Sequence, residues 1–237
     1  MICSIDTKVM NIKREFLSAA YVRGYAGRTG TPTIPESVRQ KQLDELTDEE
    51  LAQLCAMGKK AELKMYRFKN HEELPRVHKT LGFLRGIWPE NLLDVGSGRG
   101  VFLFPFLCAF PATPVTSVDL LDYRVEFLDD IRRGGVDRLT ALQMDICSNT
   151  FPEKSFDVVT MLEVLEHIPD VQEAVCSAVR LAKRYVVVTV PSKPDNNPEH
   201  IHLLTKDCLT EMFGSAGCAK LQFDAVPGHL FMAATIR

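Results

Sequence analysis

The chain has 237 residues, 46% hydrophobic and 25% charged, with a formal net charge of -3. That length holds one α/β domain with a real core plus a modest extension. The charge balance excludes a global basic field of the kind that draws nucleic acid to a whole surface. The seven cysteines are odd in number, include no Cys-x-x-Cys pair and sit partly in apolar runs. They speak against a disulfide framework or a cysteine zinc site, and for reduced thiols in a cytoplasmic protein. No apolar core of signal-peptide length follows the first basic residues. The most apolar stretch, Val101 to Val115, is broken by Pro105, Pro111 and Pro114, so no membrane partner is expected.

Residues 1–45 lack a periodic pattern. Gly24, Gly27, Gly30, Pro32 and Pro35 cluster there and read as a loop or arm. Thr47 and Glu50 have capping-box spacing, and Leu51, Leu54, Cys55 and Met57 follow, which predicts a helix. Lys59 to Lys69 is rich in positive charge and reads as a solvated face, with Tyr66, Arg67 and Phe68 as candidate cover residues over a site. Residues 1–80 are therefore expected to form an arm and helical extension that could act as a lid. Residues 81–237 are expected to form the main domain.

From Asn91 strands and helices alternate. Strands are predicted at Leu92 to Val95, Val115 to Val118, Arg138 to Met144, Phe156 to Met161 and Tyr185 to Val190. Helices are predicted at Tyr123 to Arg133, Val171 to Ala182 and Lys206 to Ala216. Pro105 should kink or shorten the helix after the first strand. Two final stretches, Lys220 to Ala225 and Leu230 to Ile236, are joined by Val226-Pro227-Gly228 and predict an antiparallel hairpin. The fold class is α/β: a Rossmann-like, doubly wound, mostly parallel sheet with an N-terminal helical extension.

The segment Asp94-Val95-Gly96-Ser97-Gly98-Arg99-Gly100 follows a buried strand, where glycines allow a tight turn and close approach to a ligand. In the G-x-G-x-x-G pattern the third glycine comes one residue early, at Gly100. Asp94 would repel a pyrophosphate but suits a cofactor carrying an ammonium and a sulfonium. This segment resembles motif I of the class I S-adenosylmethionine (SAM) dependent methyltransferases. The resemblance covers about Leu81 to Arg237 and implies a seven-stranded sheet whose last strand is antiparallel. It implies that Asp119, with Leu120 beside it, holds the ribose hydroxyls, and that Asp145 and Ile146 meet the adenine. It also implies that Glu163 lines the cofactor pocket.

Glu163, Glu166 and His167 follow the fourth strand, and His200 and His202 follow the fifth. Their loops should face each other across the active-site mouth, bringing together enough carboxylates and imidazoles for a general base or a divalent cation. Glu163-Val164-Leu165-Glu166-His167 also resembles, more weakly, the Glu-x-x-Glu-His block of the small-RNA 3′-terminal ribose 2′-O-methyltransferases. That resemblance implies a metal on Glu163, Glu166, His167 and a later histidine, His200 or His202; we take His202. The later loop is short here and that family's Phe-Glu-Trp stretch is missing.

The expectation is a methyltransferase acting on an oxygen or nitrogen of a small or medium acceptor, with His167, Glu166 and His202 as candidate catalytic residues. Three rivals are a metal-assisted RNA ribose methyltransferase, a SAM-binding regulatory or partner subunit, and nicotinamide-dependent redox chemistry, which Asp94 disfavours. His71, His78 and His229 receive no role.

Overall fold

The computed structural model describes residues 13–237. Four helices come first: α1 (Arg14–Thr29), α2 (Glu36–Arg39), α3 (Asp48–Lys60) and α4 (Pro75–Ile87). Then follow β1 (Leu92–Val95), α5 (Leu103–Ala109), β2 (Val115–Asp119), α6 (Asp122–Arg133) and β3 (Leu139–Gln143). The second half holds β4 (Phe156–Leu162), α7 (Val171–Leu181), β5 (Ala182–Pro191), α8 (Lys206–Ser215), β6 (Lys220–Val226) and β7 (His229–Thr235).

The strands form one sheet in the order β3-β2-β1-β4-β5-β7-β6. The first five are parallel, and β7 runs antiparallel between β5 and β6. This is the expected Rossmann-like sheet with its C-terminal hairpin. The two faces separate by residue parity, as a pleat requires. Leu92 and Val158 join a core with α1, α3, α4 and α5, whereas Leu93 and Val159 join one with α7 and α8. β1 is buried at every position, so Leu92, Leu93 and Val95 pack into cover on both faces and Asp94 is the one polar residue buried among them.

The local signals around Thr47 and Pro105 act as expected. The Thr47 hydroxyl accepts from the Glu50 N–H at 3.2 Å, and the Glu50 carboxylate accepts from the Thr47 N–H at 2.9 Å, closing a capping box on α3. α5 is only seven residues long and begins at Leu103. Pro105 thus falls in its first turn, where a missing N–H costs little.

Two expectations need correction. Residues 14–29 are not an irregular arm but a 16-residue helix with Leu17, Ala19, Ala20, Tyr21 and Val22 buried. Gly24, read as a breaker, permits close helix packing: a Cβ there would stand 1.7 Å from the Asp130 carbonyl oxygen on α6. Gly134 does the same against Ala20, at 1.8 Å. Arg28 then clamps the pair through a two-pronged bond to Asp130, both contacts 2.8 Å. The other correction concerns the turn after α3. Phe68 stacks on Phe104 with ring centroids 5.1 Å apart, and the buried Arg67 guanidinium lies 4.5 Å from the Phe127 ring centre. These two side chains fill the core and do not cover a site; Tyr66 alone of the three is exposed.

The change of pattern expected at residue 80 falls inside α4, and α1, α3 and α4 share a continuous core with β1, α5 and α6. No helix among the described residues is long and apolar enough to cross a membrane.

Candidate active site

The carboxyl ends of β1 and β2 hold two buried acids, Asp94 (2% exposed) and Asp119 (6% exposed). Asp94 is fixed from two sides. Its Oδ1 accepts from the Thr160 hydroxyl of β4 at 2.7 Å, and its Oδ2 accepts from the Ser97 hydroxyl. Ser97 in turn lies 2.6 Å from the Ser117 hydroxyl of β2. Burial pushes the Asp94 carboxyl up to about 6, partly offset by the Ser97 and Thr160 hydrogen bonds.

Asp119 accepts from the Gly98 N–H at 3.2 Å and the Leu121 N–H at 3.1 Å, and pairs with Arg124 at 3.4 Å. The turn between the two acids requires glycine. Gly96 has φ +66°, and a Cβ there would meet the Val164 side chain at 2.7 Å; at Gly98, φ is +57°. A cavity opens over this turn, lined by Asp94, Gly96, Ser97, Gly98, Leu162 and Glu163. Val95 is buried at the end of β1 and Leu120, which follows β2, is 61% exposed; neither is among the residues that line the cavity. Arg76 of α4 also lines the cavity, a residue that the sequence pattern did not single out because its helix is distant along the chain. α4 is thus the part of the N-terminal extension that borders this cavity.

Asp145 caps the short turn Ile146–Ser148, its Oδ1 accepting from the Cys147 N–H at 2.9 Å. Ile146 is buried. Glu163 has φ +57°, a conformation that a non-glycine residue holds at a cost. Its carboxylate accepts from the Thr189 hydroxyl at 2.8 Å and faces His229 Nε2 at 3.0 Å. His229 is therefore tied to the cavity wall, a placement that no local sequence signal announces, because it depends on β7 pairing beside β5.

The loops after β4 and β5 do meet. The Ile201 and His202 N–H groups donate to the Glu166 carbonyl at 2.9 and 3.3 Å. Glu166, His167 and His200 each bring one donor atom into a group spanning no more than 4.8 Å. Glu166 is fully buried, and neither carboxylate oxygen has a hydrogen-bond partner among the described residues. Burial pushes its carboxyl up to about 8. The other two residues of the expected metal set point elsewhere. Glu163 is engaged by Thr189 and His229, and His202 Nε2 lies 3.0 Å from the Ile168 carbonyl oxygen. The structure gathers His200, not His202: His200 is held by Asp195 at 2.8 Å, whereas the His202 ring is engaged at Ile168.

Residues 93–188, less than half of the chain, match the family model described as a methyltransferase domain. A ubiquinone biosynthesis O-methyltransferase of Klebsiella pneumoniae subsp. pneumoniae is 33% identical over 104 residues, covering 41% of this chain and 40% of that protein. The match therefore spans about two fifths of that relative's length. Among solved structures, a SAM-dependent methyltransferase from Aquifex aeolicus shares the fold with a TM-score of 0.57 at 18% identity, covering 70% of this chain and 93% of that one. A protein of Nostoc punctiforme PCC 73102 matches with a TM-score of 0.57 at 15% identity, covering 99% of this chain and 76% of that one.

Proposed function

We propose that this chain, whose residues 93–188 match a methyltransferase domain, is a class I SAM-dependent methyltransferase that transfers the methyl group of SAM to an oxygen or nitrogen of a small or medium acceptor. One observation carries the reading: a glycine turn lies between two buried, hydrogen-bonded carboxylates at the ends of adjacent parallel strands. That donor set fits a cationic nucleoside. Asp94 sets a negative field where an ammonium and a sulfonium would lie, and Asp119 offers acceptor oxygens to a ribose diol. A pyrophosphate would meet both charges unfavourably.

When bound, SAM supplies an activated methyl group for in-line displacement. The chain's own residues then position and screen. Val95, Gly96, Ser97 and Gly98 bring backbone close to the cofactor. Leu120 and Ile146 flank the adenine, and Asp145 offers it its remaining carboxylate oxygen. Glu163 closes the amino-acid end of the cavity together with Arg76, whose charge suits the cofactor carboxylate. Glu166, His167 and His200 stand on the acceptor side. There His167, with Nδ1 lying 2.9 Å from the Glu199 carbonyl oxygen, is the candidate to take the acceptor's proton. His202 holds the loop carrying these groups. The printed name of the Klebsiella relative favours an oxygen acceptor.

Calorimetry with SAM, its demethylated product and NAD tests the cofactor. Saturable heat with the first two and none with NAD is expected, and the reverse pattern overturns the proposal. Labelled methyl transfer to a panel of hydroxylated and amine acceptors tests the chemistry; cofactor binding with no turnover on any acceptor would favour the regulatory-subunit rival.

A further inference from the structure

We infer that His229, the first residue of β7, is a positioning residue for Glu163: it fixes that carboxylate for the ammonium of the cofactor and so couples the C-terminal hairpin to cofactor affinity. The inference rests on the methyltransferase reading and adds to it a residue from outside the glycine turn and its acids.

Glu163 follows β4 with φ +57°, a conformation that persists only where the surrounding structure over-determines it. Three contacts do so. The Glu163 N–H donates to the Thr189 carbonyl of β5 at 2.9 Å. Its Oε1 accepts from the Thr189 hydroxyl at 2.8 Å, and its Oε2 lies 3.0 Å from His229 Nε2. A single tether would leave the carboxylate free to pivot, whereas one on each oxygen fixes its plane. Each oxygen keeps capacity for a further hydrogen bond, and Glu163 lines the cavity together with Asp94. A carboxylate with spare acceptor capacity suits an ammonium, and one held in place beforehand loses little freedom on binding.

His229 is itself held. Its Nδ1 lies 3.1 Å from the Pro227 carbonyl oxygen. The hairpin turn is tied to the end of β5, where the Ser192 N–H donates to the Gly228 carbonyl at 3.1 Å and His229 pairs with Pro191. Both neighbours of the ring are acceptors, so it serves them as a donor on each side. Nδ1 anchors the ring to the turn, and Nε2 holds Glu163. The ring is partly buried, so its bond to the carboxylate is only partly screened by water.

Calorimetry on the full chain with SAM and with 5′-methylthioadenosine tests this. The second ligand keeps the adenine, ribose and sulfur but lacks the amino-acid part. His229→Asn keeps a donor near the Nδ1 position and none at Nε2; it should weaken SAM about tenfold, the loss of one charge-assisted hydrogen bond. His229→Gln, whose amide reaches the Nε2 position, should stay within about threefold of the parent. Neither change should move 5′-methylthioadenosine affinity more than about twofold, and a melt of each variant shows that it is folded. In a Glu163→Ala background, His229→Asn should cost less than about twofold, because the group it positions is gone. Should His229→Asn not fold, His229→Ala takes its place. No loss in His229→Asn, an equal loss in His229→Gln, an equal loss for both ligands, or an undiminished loss in the Glu163→Ala background overturns the positioning role and leaves the methyltransferase reading standing. A parent that does not bind SAM removes that reading, and the positioning role with it.

Discussion

The two halves of the active-site rim differ in how their acids are held. At the ends of β1 and β2, both oxygens of Asp94 and of Asp119 already have donors within the chain. At the loops after β4 and β5, Glu166 is buried as deeply but has no donor among the described residues, and the nearby ring nitrogens are held from behind. The first half is pre-organised for its ligand. In the second half burial holds the Glu166 carboxyl largely in its neutral form, with no side-chain donor to it among the described residues. Burial raises both Asp94 and Glu166, but only Asp94 has side-chain hydrogen bonds offsetting that cost.

The comparison breaks most directly at Asp119. Asp119→Ala should weaken SAM about 100-fold, because two hydrogen bonds to a charged group are lost at about 1.5 kcal/mol or more each. Calorimetry with SAM checks this, and an unchanged affinity would show that Asp119 does not meet the cofactor.

Glu166→Met should behave in the opposite sense. Replacing a buried, unsatisfied carboxyl by an apolar chain of similar length should stabilise the protein by about 1–3 kcal/mol. A scanning melt should then show a rise of several degrees, and a fall would mean that Glu166 has a protein partner.

Thr160→Val tests the pre-organised half. It leaves the buried Asp94 Oδ1 without its donor, so a stability loss of about 1–2 kcal/mol is expected, read as a lower denaturant midpoint.

The smallest effect is on pH. Asp94 titrates near 6, so it is charged above that value and neutral below it. SAM affinity should be flat above pH 7 and fall about fourfold by pH 5.5 as the negative field is lost. A flat profile across that range would separate Asp94 from the cofactor's charge.

Much of this was legible along the chain. Motif I, Asp119 and the strand pattern are local: a strand buried on both faces, a turn that only glycine can make, and an acid at a strand end each show in a few consecutive residues. Helix α1 was not, because a glycine such as Gly24 carries the same composition signal whether it breaks a helix or lets two helices touch. The choice between His200 and His202 was equally hidden. Both residues follow the same strand, and only the meeting of two distant loops determines which ring nitrogen finds Asp195 and which finds Ile168.

The sequence by itself determined the alternation of strands and helices, the glycine turn and its flanking acids, since these depend on neighbours close along the chain. Tertiary structure alone decided that Arg76 lines the cavity over the glycine turn, that His229 pairs with Glu163 on its wall, and that the Glu166 carboxylate has no hydrogen-bond partner among the described residues. Those facts come from elements brought together across the sheet, where burial and hydrogen-bond geometry, not local pattern, determine what each side chain can do.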